Sequence, residues 1–76
     1  MVHAFVLLDC AAGTAQSVCA EVKEVSAVEE AHVIAGDFDV VVELTAEEVH
    51  DLLSVVTREI RSLDGVGTTR TYISLE

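Results

Sequence analysis

Two carboxylates and an aromatic ring crowd one glycine in the tetrapeptide Gly36-Asp37-Phe38-Asp39. A glycine leaves its backbone N–H groups open to approach, and a carboxylate accepts from an ammonium group. That pairing suits a small zwitterion better than it suits bond-breaking chemistry. Asp37 and Asp39 are two residues apart, so on a strand they would share a face. At close approach one of them could hold a proton for acid–base work. Both are also ordinary turn formers, because Asp bonds its own backbone. The residues alone leave these readings open.

Other reactive groups are scattered. Thr68-Thr69-Arg70-Thr71 offers hydroxyls and a guanidinium that can receive a carboxylate. Strand alternation puts Thr69 and Thr71 on one face, Thr68 and Arg70 on the other. His3 and His32 fall on strands separated by a third, roughly 10 Å apart at about 4.8 Å per strand. His50 falls on the polar side of a helix. Cys10 ends a strand and Cys19 lies on an apolar helix face, as small buried hydrophobes do. No nucleophile has an evident base, and no metal, phosphate or cofactor spacing is present. The expectation is a non-enzyme with no catalytic residue, metal or cofactor.

The hairpin is built by its flanks. Val28 to Ala35 and Phe38 to Leu44 are β-branched, apolar runs on either side of the Gly-Asp turn. Val2 to Asp9 and Val66 to Leu75 also read as strands. Ala15 to Val25 carries Ala15, Val18, Cys19, Val22 and Val25 at helical spacing, with Thr14 or Gly13 as N-cap. Thr45-Ala46-Glu47-Glu48 has the form of a capping box, with Leu44 and Val49 as a staple. It predicts a second helix from Ala46 to about Ser62, buried through Val49, Leu52, Leu53, Val56, Ile60 and Leu63. Acids open that helix and Arg58 and Arg61 close it, matching its dipole.

The order is β-α-β-β-α-β over one domain, residues 1–76. An internal repeat supports it: shifted by 38 positions, Val18 falls on Val56 and Val22 on Ile60, and Val25-Ser26-Ala27-Val28 meets Leu63-Asp64-Gly65-Val66. Two βαβ halves predict an α+β, ferredoxin-like fold: a four-stranded antiparallel sheet in the order 4-1-3-2 with both helices on one face. The other face is apolar too, through Phe5, Leu7, Ile34 and Val41. Such a face should be buried against a second copy, so the sheet predicts a dimer interface.

Composition narrows the partners. Fourteen Asp and Glu face four Lys and Arg, for a net charge of -10, yet 51% of the residues are hydrophobic. Mean hydropathy is +0.49, which argues against disorder. An acidic surface repels phosphate backbones, so direct nucleic-acid binding is disfavoured. With a single lysine, Lys23, the surface resembles those of halophilic proteins. The apolar run Ala4 to Leu8 is too short for a secretory signal and no run could span a membrane, so the cytoplasm is expected.

The whole chain resembles the C-terminal effector (RAM) domain of the Lrp/AsnC transcription regulators. The resemblance is carried by the apolar first strand, Val33-Ile34-Ala35-Gly36-Asp37-Phe38-Asp39-Val40, Leu63-Asp64-Gly65-Val66 and Thr69-Arg70-Thr71. The family often has Tyr where this chain has Phe38. The resemblance implies sheet-to-sheet dimers that assemble further, and an amino acid bound between dimers by Ala35, Gly36, Asp37, Phe38 and Asp39, with Thr69 and Thr71 in support. It also implies a stand-alone form without the helix-turn-helix, reaching DNA only through a full-length Lrp/AsnC-type partner. Two alternatives share the fold: a small dimeric oxygenase or isomerase, and an ACT-like regulatory domain.

Overall fold

The computed structural model describes residues 1–75. Strand β1 spans Val2–Cys10, helix α1 Ala15–Val22, β2 Val28–Val33 and β3 Val40–Ala46. Helix α2 spans Val49–Val55 and runs on as a π-helical turn, Val56–Ile60, before β4, Val66–Ile73. The sheet is antiparallel in the order β2-β3-β1-β4, as the split βαβ pattern predicts. Among the described residues no helix is long and apolar enough to cross a membrane.

Side-chain alternation divides the sheet. Ala4, Val6, Leu8, Val42 and Leu44 are fully buried and form one core with Val18 and Val22 of α1 and Leu52 and Ile60 of α2. Their strand neighbours point the other way. Leu7 stands opposite Val41 and Arg70, and Phe5 opposite Glu43 and Tyr72, on a face that no helix covers. Phe5 is 39% exposed and Tyr72 55%.

The internal repeat is visible in the hydrogen bonds. Val25 N–H donates to the Val22 carbonyl and Val28 N–H to that of Val25, both at 3.0 Å. Their counterparts are Leu63 N–H to Ile60 (3.2 Å) and Val66 N–H to Leu63 (3.3 Å). Each helix therefore tightens into the same pair of turns before its strand. This is also why α1 stops at Val22 rather than at the predicted Val25.

The capping box at Thr45 is not formed. Thr45 and Ala46 stay in β3, opposite His3 and Val2, and Thr45 N–H donates to the Ala27 carbonyl at 3.0 Å. Pairing on both sides outweighs one local cap, so α2 begins three residues later than predicted, with extended Glu48 as N-cap and no side-chain cap bond. The staple fails with it: Leu44 is buried, but Val49 is 45% and Leu53 46% exposed. The predicted stripe survives as Leu52, Val56 and Ile60, with Leu63 packed at its edge.

Gly65 is where the β4 turn meets α1. Its φ is +94°, and a Cβ there would lie 2.9 Å from Thr14 Oγ1 and 3.1 Å from Val18 Cγ2. Gly65→Ala combines backbone strain with overpacking and should lose roughly 2–4 kcal/mol. Gly36→Ala shares the positive φ, +154°, but meets nothing within 4 Å. It carries the backbone strain alone and should lose roughly 1–3 kcal/mol, less than Gly65→Ala by the overpacking. Urea titration of the two variants checks the difference, and equal losses would show that crowding against Thr14 and Val18 contributes nothing.

Candidate functional site

The β2–β3 connection closes where Ile34 N–H donates to the Asp39 carbonyl at 2.8 Å, leaving residues 35–38 as the loop. The strands are therefore trimmed relative to the predicted runs: β2 stops at Val33, and β3 starts at Val40. Ala35, Gly36 and Asp37 are exposed, and Phe38 and Asp39 half-buried. The positive φ of Gly36 explains its residue type, since a side chain is strained in that conformation.

Asp37 and Asp39 have different surroundings. Asp37 stands at the exposed loop tip. Asp39 sits at the root, where its own N–H donates to the Leu8 carbonyl at 2.8 Å. Its Oδ2 accepts from the Cys10 N–H, also at 2.8 Å. Burial, followed by the charges of Asp39 and Asp9 and the neighbouring Cys19, pushes the Cys10 thiol above the usual 9.0. Cys10 is therefore held as a neutral thiol at physiological pH, which is not the state of a nucleophile.

The end of the sheet gathers three segments: the hairpin root, Asp9–Cys10, and the start of β4. The β1–β4 register shifts between Leu8 and Cys10, and a Cβ on Gly67 would come 3.3 Å from the Asp9 carbonyl. Thr69 pairs with Leu8 and Thr71 with Val6, so both hydroxyls lie on the helix side. Thr69 is thus level with the hairpin root, one strand beyond β1, and Thr71 is two residues further along. Arg70 faces the open side, opposite Leu7.

The histidines are engaged separately. His3 Nε2 lies 2.8 Å from Glu43 Oε1, and its ring centre 5.0 Å from that of Phe5. His32 Nε2 lies 3.0 Å from Glu30 Oε1. His3 pairs with Thr45 and His32 with Val41, so four residues of β3 add about 13 Å to their separation. Among the described residues no three His, Cys, Asp or Glu side chains gather as a metal site.

Two grooves run along the outer edge of β2. One of about 500 Å³ lies against α1 and includes Cys19, Lys23, Ala31 and Val33. The other, about 370 Å³, includes Lys23, Glu29, Glu30 and His32. Neither is lined by residues 35–39, and residues 35–37 are exposed in the single chain. Sequence reasoning missed the Cys10 amide and the Glu43 carboxylate as partners. Both are long-range, 29 and 40 residues from their mates, and only the strand register reveals them.

Four antiparallel strands in the order β2-β3-β1-β4 with two helices packed on one face define a ferredoxin-like α+β domain. The chain belongs to the Lrp/AsnC ligand binding domain family, whose model matches residues 3–76. It is similar to TTHA0845 of Thermus thermophilus, at 32% identity and a TM-score of 0.94, over 100% of this chain and 95% of that one. It is 32% identical over 61 residues to the HTH-type transcriptional regulator PF0250 of Pyrococcus furiosus, covering 80% of this chain and 41% of that protein. The chain thus spans about two fifths of that regulator's length. The Neisseria meningitidis regulator NMB0573 shares the fold at 18% identity and a TM-score of 0.86, over 99% of this chain and 50% of that one.

Proposed function

We propose that this chain is an amino-acid-sensing regulatory domain without catalytic activity, folding as one domain and working in the cytoplasm as a homodimer or larger assembly. The observation that carries the reading is the family match over residues 3–76, in a chain that projects Gly36-Asp37-Phe38-Asp39 from the sheet end. The Neisseria regulator's structure is that of an L-Met complex, which supports the ligand class. Exposed residues 35–37 fit a pocket whose opposite wall a second copy supplies. A ligand held there favours one assembly over another by its differential affinity. A full-length Lrp/AsnC-type regulator is the kind of partner that fits this reading.

Within the loop each residue takes a different part in this reading. Asp37 is exposed and suited to accept from a ligand ammonium; backbone N–H groups beside Gly36 suit its carboxylate. Phe38 packs beside the ligand, and Thr69 and Thr71 support the sheet end. One charge-assisted bond is worth roughly 1.5–3 kcal/mol, so losing one costs about tenfold or more in affinity. Calorimetry with each of the twenty amino acids should find at least one that binds at millimolar concentration or below. Asp37→Ala and Gly36→Val should each weaken it about tenfold or more. Absence of binding, or full binding by both variants, would refute the hairpin as the site.

A further inference from the structure

Asp39 is the most heavily engaged residue of the hairpin. Its carbonyl accepts from Ile34 of β2, its N–H donates to Leu8 of β1, and both bonds are 2.8 Å. Its Oδ2 accepts from Cys10 N–H at the same distance. The last contact has a topological cause. Beyond Asp39 the chain leaves β1 for the loop, so Cys10, at the end of β1, has no β3 carbonyl opposite to receive its N–H. The carboxylate stands in for the carbonyl that a longer β3 would have offered, and an unmade bond there would be costly.

The same bond connects the loop to the rest of the sheet end. Ala11, next to Cys10, donates its N–H to the Gly65 carbonyl at 2.8 Å. Its own carbonyl accepts from Thr14 N–H at 3.0 Å and from Thr14 Oγ1 at 2.7 Å. The hairpin root, the start of β4 and the N-terminus of α1 therefore hang on two consecutive residues of β1 and its exit.

We propose that Asp39 is a positioning residue rather than a ligand contact: its carboxylate latches the hairpin root to Cys10 and so fixes the loop 35–38 that receives the ligand. The proposal rests on the reading of that loop as the amino-acid site. It assigns the ammonium of the ligand to Asp37 alone. It also separates two properties that a direct contact would join, because an amide oxygen can accept from Cys10 N–H as a carboxylate oxygen does, but cannot pair with an ammonium as an ion.

The test compares wild type, Asp39→Asn and Asp39→Ala by amide hydrogen exchange of Cys10 in the ligand-free protein and by calorimetry against the twenty amino acids. Asp39→Asn should keep the Cys10 amide protected and hold affinity within about threefold of wild type. Asp39→Ala should speed that exchange about tenfold or more and weaken binding in step. Unchanged exchange in Asp39→Ala would overturn the latch. A protected Cys10 amide with binding lost in Asp39→Asn would overturn it in favour of direct ligand contact, and this arm stands even if Asp39→Ala does not fold. If wild type binds no amino acid, the functional reading fails, while the exchange arm still decides the latch.

Discussion

Leu7→Asp should convert the protein from a dimer to a monomer, or unfold it if the fold depends on dimerisation. Leu7 lies at the middle of the uncovered sheet face, opposite Val41 and Arg70, with Phe5 and Tyr72 beside it and Ile34 at the β2 end. A standard interface covers roughly 800 Å² per partner, about a sixth of this chain's 4780 Å² surface. Burying one Leu contributes roughly 1.5–3 kcal/mol, and a two-fold interface counts it twice. Within one chain the new carboxylate stays solvated beside Arg70, so the substitution costs the isolated fold little. Across a dimer it places two like charges in an apolar contact, which is costly. Light scattering at micromolar concentration checks the mass, and circular dichroism the fold. Wild type that is monomeric and stable would refute the interface. Val6→Asp serves as the contrasting case, since Val6 is fully buried under the helices and its loss unfolds the chain whatever the assembly.

The element order and the two-faced sheet were legible because both rest on periodicity. Val6 and Leu8 against Phe5 and Leu7, and Val18 and Val22 against Val56 and Ile60, need no knowledge of the fold. Boundaries set by tertiary pairing were not legible. Thr45 followed by Glu48 has every local mark of a cap, yet two neighbouring strands claim its backbone first. Val49 was expected in the core by that cap's staple and by helical spacing, and Leu53 by helical spacing; both are nearly half exposed. The hairpin was legible as a turn by residue type, since Gly suits the positive φ at position 36. The unequal surroundings of Asp37 and Asp39 were not, because Asp39 is distinguished by its bond to Cys10, 29 residues away in sequence. Local chemistry identifies which groups are available; register decides which are already taken.

Stability should rise steeply with salt. Fourteen acidic side chains face four Lys and Arg. Among the described residues the carboxylates that meet a basic side chain are Glu43, against His3, and Glu30, against His32, and no Lys or Arg lies within 4.0 Å of a carboxylate. Among the described residues no charged side chain is buried, so the repulsion lies at the surface, where ions can screen it. The longest dimension of the protein is 34 Å. At 0.01 M salt the screening length is about 30 Å, so acids repel across the whole molecule; at 1 M it is about 3 Å and only neighbours interact. Relief of about 2 kcal/mol would raise Tm by on the order of 10 °C in a domain this small. Thermal melts at neutral pH from 0.01 to 1 M KCl measure it. Exchanging exposed Glu21, Glu24 and Glu47 for Gln takes the net charge from -10 to -7 and should flatten the response. That comparison separates screening from the general strengthening of apolar burial by salt, which the exchange leaves untouched. A flat wild-type curve, or equal slopes in the two proteins, would show that self-repulsion does not limit this fold.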